Sequence, residues 1–228
     1  MNLYIVATPI GNLEDITLRA LRVLKEVDGI ISEDTRVTRK LIDRYGIKTS
    51  LFAYHARSGN AAVKKIISLL NEGKNLALVS DAGTPAISDP GAKIISEGKK
   101  IFGKDLKIIP VPGASALTAA FSASGFSGSE FLFLGFLPHK KGRETLFKEI
   151  ALSKRPVIFY ESPHRVLKTL ISLEHFVPKR NVLIAREMTK IYESFIEGAP
   201  KEISAYFRNN PEEVRGEFVV IVSTASSI

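Results

Sequence analysis

Between Ser80 and Gly91 the chain reads SDAGTPAISDPG, twelve residues that hold two glycines, two prolines, two aspartates and two serines. Glycine lets a backbone approach a ligand closely, and proline fixes its own φ. Asp81 adds an acceptor beside that approach. The stretch follows Leu76-Ala77-Leu78-Val79, a short apolar run of the kind that forms a buried parallel strand. In an open α/β sheet, ligands collect just beyond the carboxyl ends of the strands. The stretch therefore reads as a ligand cradle, with an ordinary Gly/Pro surface loop as the plainer alternative.

The same arrangement recurs along the chain. Thr8-Pro9-Ile10-Gly11-Asn12 follows the apolar run Leu3 to Ala7, and Ser32-Glu33-Asp34-Thr35-Arg36 follows Gly29 to Ile31. Pro112-Gly113-Ala114-Ser115 follows Leu106 to Val111. In the second half, the basic loop Phe136 to Arg143 follows a strand over Glu130–Gly135. Glu161-Ser162-Pro163-His164-Arg165 follows Pro156–Tyr160, and Arg186-Glu187-Met188-Thr189-Lys190 follows Val182–Ala185.

Positioning these loops takes alternating strands and amphipathic helices. Leu18, Leu21, Leu24 and Val27 share one helical face, behind a cap at Asp15 or Thr17. Further helices are predicted over 37–45, 61–72, 92–100, 116–123, 145–152, up to 173, and 200–207, and a strand over 50–54. Strands over 192–196 and 217–222 would close a mixed sheet. The Gly/Ser-rich stretch Ser124–Ser129 reads as a linker. The expectation is an α/β protein of two domains, 1–123 and 124–228, with a cofactor cleft between them.

Lys and Arg number 32 against 24 Asp and Glu, a net charge of +8, which suits a polyanionic partner. A solvated lysine-rich surface would give the same balance, and no aromatic-rich RNA-binding signature is present. The absence of cysteine excludes disulfides, thiolate metal sites and a cysteine nucleophile. Four histidines without ligand spacing lead us to expect no metal site. No apolar run is long enough to span a membrane and the chain opens on a strand, so a cytoplasmic protein without a targeting segment is expected.

Several of these motifs are long. Pro9-Ile10-Gly11-Asn12-Leu13 with Asp15, Thr17, Arg19 and Ala20, Glu33-Asp34-Thr35-Arg36, SDAGTPAISDPG and Val111-Pro112-Gly113 lie in the first half. Gly135-Phe136-Leu137-Pro138, Tyr160-Glu161-Ser162-Pro163-His164-Arg165 and Arg186-Glu187-Met188-Thr189-Lys190 lie in the second. Together they resemble the tetrapyrrole-methylase superfamily, in the branch that 2′-O-methylates a cytidine of small-subunit (16S) ribosomal RNA. The resemblance runs from Asn2 to about Val222 and implies S-adenosyl-L-methionine as methyl donor. It maps donor contacts onto Pro9, Ser80, Asp81, Gly83, Thr84, Pro85, Ser115, Ala116, Tyr160, Met188 and Gly216. It also implies a homodimer, to which the Phe-rich segment Phe131–Phe136 could contribute.

Methyl transfer to a ribose hydroxyl needs alignment and a route for one proton. The candidates for the base are Asp34, Glu161 and Glu187, among which the residues alone do not choose. Arg36, Lys140, Arg143 and Arg165 are natural phosphate clamps for RNA. Members of this branch usually carry an acidic residue and an Asn-Glu pair after the third strand, where this chain has His55-Ala56-Arg57-Ser58-Gly59-Asn60. They also usually continue past the final strand, so RNA contacts from such an extension are not expected here. A corrin or porphyrin ring methyltransferase and a non-catalytic nucleotide- or RNA-binding module are the competing readings.

Overall fold

Five parallel strands form the N-terminal sheet, in the order β3-β2-β4-β1-β5. They are β1 (Asn2–Val6), β2 (Gly29–Ser32), β3 (Leu51–Ala53), β4 (Leu76–Leu78) and β5 (Lys107–Val111). The computed structural model describes residues 1–126 and 129–224. Ser127 and Gly128, inside the expected linker, and residues 225–228 lie outside the described residues.

The helices divide by direction of travel. Moving outward from β1, α1 (Leu18–Glu26) and α2 (Thr35–Arg44) bury Ala20, Val23, Leu24, Leu41 and Ile42 on one face of the sheet. Moving back, α3 (Asn60–Asn71) and α4 (Gly91–Phe102) bury Val63, Ile66, Leu70 and Ile94 on the other. The direction reverses between the adjacent strands β1 and β4, so their carboxyl ends form the topological switch point of the sheet. The ends of the helices follow local chemistry: the Thr17 hydroxyl accepts from the Ala20 N–H at 3.0 Å and caps α1. Gly46 stops α2 with a φ of +62°.

The C-terminal sheet runs β6-β7-β10-β8-β9. Its strands are β6 (Leu132–Phe136), β7 (Val157–Glu161), β8 (Val182–Arg186), β9 (Ser194–Gly198) and β10 (Phe218–Val222). Only β6 and β7 are parallel; β10 is antiparallel to both β7 and β8, and β9 is antiparallel to β8. Helices α6 (Arg143–Leu152), α7 (Val166–Phe176) and α8 (Pro200–Asn209) bury Phe147, Leu170 and Phe207 against it. This is the mixed sheet expected from the sequence.

The chain divides into two compact units, Met1–Ser115 and Ala116–Ile228. The division lies eight residues before the expected 123/124 boundary, because α5 (Ala116–Ala123) packs against β10. A Gly/Ser-rich composition marked where the chain turns, whereas compactness follows what the preceding helix touches. Among the described residues no helix is long and apolar enough to cross a membrane.

Candidate active site

In the N-terminal unit, four strand-end loops meet at the switch point and are joined by hydrogen bonds that each have a main-chain group on at least one side. Thr8 and Gly83 exchange backbone hydrogen bonds of 2.9 and 3.0 Å, and the Thr8 hydroxyl donates to the Ser80 carbonyl at 3.1 Å. Thr84 Oγ1 donates to the Ala114 carbonyl at 3.1 Å, which ties in the loop after β5. From the loop after β2, the Asp34 N–H donates to Asp81 Oδ1 at 2.8 Å. Pro9, Ser80, Gly83 and Pro85 are buried, while Asp81 is exposed.

Gly83 is a position where a side chain would be strained, by its left-handed backbone first and by a tight contact second. Its φ is +79°, and an added Cβ would lie 3.3 Å from Ile10 and 3.6 Å from the Ala114 carbonyl, beside Ser115. Two non-glycine residues of the same loop, Ala86 (φ +67°) and Ser88 (φ +62°), also adopt the left-handed region. Such conformations cost roughly 1–3 kcal/mol each and persist where the surroundings impose them. Pro9, Ser80, Asp81, Gly83, Thr84, Pro85 and Ser115 are thus brought together on one sheet edge, as a donor site requires.

Carboxylates crowd this edge. Burial pushes the Glu33 carboxyl above its usual range, and the charges of Asp81 and Asp89 push it further, with His55 pulling the other way. Asp81 is raised as well, first by burial, against the Asp34 N–H that favours its charged form. Asp34 behaves oppositely. Its carboxylate takes 3.0 and 2.6 Å bonds from Arg36 and caps α2 through the Arg36 N–H at 2.8 Å, which holds it at about 2. A carboxylate so weakly basic is a poor proton acceptor near neutral pH. Asp34 is therefore a helix cap and an Arg36 partner, a role its place before α2 allowed.

The C-terminal unit gathers Ala116, Tyr160, Met188 and Gly216 at the carboxyl ends of β7 and β8 or close to Tyr160. The Tyr160 hydroxyl accepts from the backbone N–H of Leu117, which places the start of α5 and Ala116 beside it. Burial raises the Tyr160 hydroxyl, and the Leu117 contact offsets part of that rise. Phe133 and Phe136 meet the Tyr160 ring edge-on, with centroids 5.1 and 5.4 Å away. Met188 is buried between two residues in left-handed conformation, Glu187 (φ +49°) and Thr189 (φ +66°). Gly216, at φ +86°, has no room for a Cβ because the Glu187 carboxyl occupies that space.

Both carboxylates expected as bases in this unit are engaged by neighbouring groups, Glu187 through Oε1 and Glu161 through both oxygens. Glu187 Oε1 accepts from Lys190 Nζ at 2.7 Å and from the Glu217 N–H at 2.9 Å. Burial raises its carboxyl, but these bonds and the charges of Lys190 and Arg186 outweigh burial and leave it below its ordinary value. Glu161 has a fully buried side chain and is more heavily engaged. Arg165 lies 2.8 Å from Oε1, which also accepts from the Ser162 N–H at 2.8 Å. Oε2 accepts from the Thr169 hydroxyl at 2.6 Å, with Arg143 3.7 Å away.

That network also corrects the expected RNA clamps. Arg143 is buried, donating to Thr169 Oγ1 at 2.7 Å and to the Pro138 carbonyl at 3.1 Å. Arg165 donates to the Leu137 carbonyl at 2.8 Å. Both guanidiniums face inward and hold the β6–α6 loop to the end of β7, so neither grips phosphate from here. Lys140 is exposed at the tip of that loop. Arg36 is also exposed, although bound to Asp34. Glu33 was not among the expected bases; its strand-end motif holds Asp34 beside it, whereas the charges of Asp81 and Asp89 reach it only in the folded sheet.

Residues 2–204 match the model of the Tetrapyrrole (Corrin/Porphyrin) Methylases. The chain is 46% identical to Ribosomal RNA small subunit methyltransferase I of Thermotoga maritima, over 97% of each protein. It is 45% identical to the protein of the same name from Bacillus subtilis, over 99% of this chain and 76% of that one. Among solved structures it is similar to uroporphyrin-III C-methyltransferase of Thermus thermophilus complexed with S-adenyl homocysteine. That pair has a TM-score of 0.65 and 15% identity, over 98% of this chain and 97% of the other, a likeness of fold.

Proposed function

Because the chain belongs to the tetrapyrrole methylase family and groups within it with small-subunit ribosomal RNA methyltransferases, we propose that it methylates 16S ribosomal RNA. The donor is S-adenosyl-L-methionine, and the acceptor is the 2′-hydroxyl of a cytidine. The observation that carries this reading is the meeting of the loops after β1, β2, β4 and β5 around Asp81 at the switch point.

The donor set fits the group. Glycine- and proline-shaped backbone gives a close approach to a nucleoside, and mutually repelling carboxylates at Glu33, Asp81 and Asp89 are relieved by a bound cation. When bound, the donor supplies an electrophilic methyl on a sulfonium whose charge disappears as the new oxygen–carbon bond forms and the sulfur–carbon bond breaks. The protein has two tasks. The stitched loops around Asp81 hold the donor for in-line attack, where positioning is worth up to roughly 7–11 kcal/mol. Glu33 and Asp81 are the two edge carboxylates whose proton affinity is raised, and Glu33, unlike Asp81, takes no loop-joining hydrogen bond from Asp34. Glu33 takes the ribose hydroxyl proton, worth typically about 10²–10⁴-fold. No metal is required by this chemistry.

We also read the protein as a cytoplasmic homodimer, with Phe136, more than half exposed, among its contact residues. Light scattering reports the dimer or removes it. Incubation with labelled donor and either small ribosomal subunits or a tetrapyrrole precursor tests the activity. Label in the ribosomal RNA at a ribose 2′-oxygen is the expected result, and label in the tetrapyrrole alone overturns it. Calorimetry with a chelator present should leave donor binding intact.

A further inference from the structure

Helices α3 and α4 lie side by side on one face of the N-terminal sheet, and a groove of about 610 Å³ runs between them. Val63, Ile67, Ile101 and Phe102 give it an apolar lining, and Lys64 and Lys93 stand among its polar lining residues. Ile101 is 54% exposed, a large apolar side chain at the surface. Both lysines are exposed, and among the described residues neither forms an ion pair. Glu97 is the carboxylate among the described lining residues. Lys65, Lys99 and Lys100, also exposed, extend the positive charge along the same two helices.

The topology aims this groove. α3 follows β3 and α4 follows β4 in a parallel sheet, so both helices begin at the edge where the strand-end loops meet. Asn60 and Lys93 lie in the first turns of the two helices, while Asn71 and Phe102 end them. Twelve residues of helix make a path of about 18 Å. It starts at the Asp81 loop and leads away across the basic face. A cationic groove with an aromatic side chain to stack on is the pattern that holds single-stranded nucleic acid, and here the lysines face phosphates while Phe102, flanked by Ile101, offers the stacking surface.

We propose that the α3–α4 groove binds the RNA strand flanking the target nucleotide and feeds that nucleotide to the loop edge. Two phosphates sit on Lys64 and Lys93, and a base lies against Ile101 and Phe102. This rests on the reading of RNA as substrate.

The test compares two full-length double variants of equal charge change, Lys64→Glu/Lys93→Glu and Lys168→Glu/Lys201→Glu. The second pair lies on exposed positions of α7 and α8. Binding of in-vitro transcribed small-subunit ribosomal RNA is followed against salt, alongside donor affinity and methyl transfer. Loss of two phosphate contacts should flatten the slope of log affinity against log salt by about 1.4–1.8. KM for RNA should rise while kcat and donor affinity hold, and the α7/α8 pair should leave the slope near that of the wild type. Ile101→Ser should weaken RNA binding several-fold without changing the slope. An unchanged slope in the groove variant, or equal flattening by both pairs, overturns the proposal, as does a wild type that binds no RNA. RNA bound but not methylated would sink the activity reading, while the slope comparison still decides the groove.

Discussion

The two units solve one problem, holding strand-end loops in register, by different means. In the N-terminal unit the loop-joining bonds each have a main-chain group on at least one side: Thr8 with Gly83, Thr8 with Ser80, Thr84 with Ala114 and Asp34 with Asp81. Carboxylates such as Asp81 are left at the surface. In the C-terminal unit the loops after β6 and β7 are joined through the buried side chains of Arg143, Glu161 and Thr169 and the half-buried one of Arg165. Side chains that hold a loop are unavailable to a ligand. A fixed backbone leaves side chains free for chemistry, so the N-terminal edge should be fragile in function and the C-terminal edge fragile in stability.

The sharpest way to break this contrast is Glu161→Gln. It strands the buried Arg143 guanidinium and the half-buried Arg165 one, and breaking a buried pair costs about 3–5 kcal/mol. Urea unfolding of the full chain should show that loss; a loss below about 1 kcal/mol would mean the network does not hold the loops. Asp81→Asn should do the reverse. Donor affinity should fall roughly tenfold, the scale of a charge-assisted hydrogen bond, with little change in unfolding midpoint. A large stability loss with unchanged donor affinity would erase the distinction between the units.

Glu33→Gln sharpens the comparison through pH. The Glu33 carboxyl is raised in the folded protein above its ordinary 4.5. Its charged form is therefore disfavoured by folding, a penalty present above the folded value and absent below the unfolded one. The variant should unfold later than the wild type at pH 7, and that gain should fade as pH falls through the raised folded value and be gone below about 4.5. Methyl transfer should drop by about 10²–10⁴-fold at the same time. A gain independent of pH would assign the effect to packing instead. The smallest effect belongs to Lys140→Ala on the exposed β6–α6 loop tip. Removing one phosphate contact should flatten the salt slope of RNA binding by about 0.7–0.9, and no change would clear that loop of the RNA.

What the sequence disclosed follows the same division. Strands and helices were legible because apolar spacing reports them directly, and Thr17 and Gly46 marked helix ends by local chemistry. The loop edge of the N-terminal unit was legible too, because Gly and Pro report backbone shape. The roles of charged residues were not. Arg143 and Arg165 read as phosphate clamps because a basic residue on a loop shows its charge but not its direction, and Glu161 lies 18 residues from Arg143 in the chain. Glu161 and Glu187 looked like bases for the same reason. Their partners, Thr169 for one and the Glu217 N–H for the other, come from elements that only the folded sheet brings together.

The place of β1 has a consequence for how the protein is made. It is the first strand to be synthesised, yet its neighbours are β4 and β5, with Leu3 opposite Leu76 and Asn2 opposite Lys107. At about 5–20 residues per second, the ribosome needs roughly 4–15 s to deliver β4 after β1. During that interval an apolar strand waits without its partners, while β2 and β3 already lie between it and the growing end of the nascent chain. The centre of the donor-side sheet is thus the part of this unit most exposed to interception during synthesis. Slowed translation ahead of Leu76 should lengthen that exposure, whereas a pause after Val111 should be harmless to the sheet.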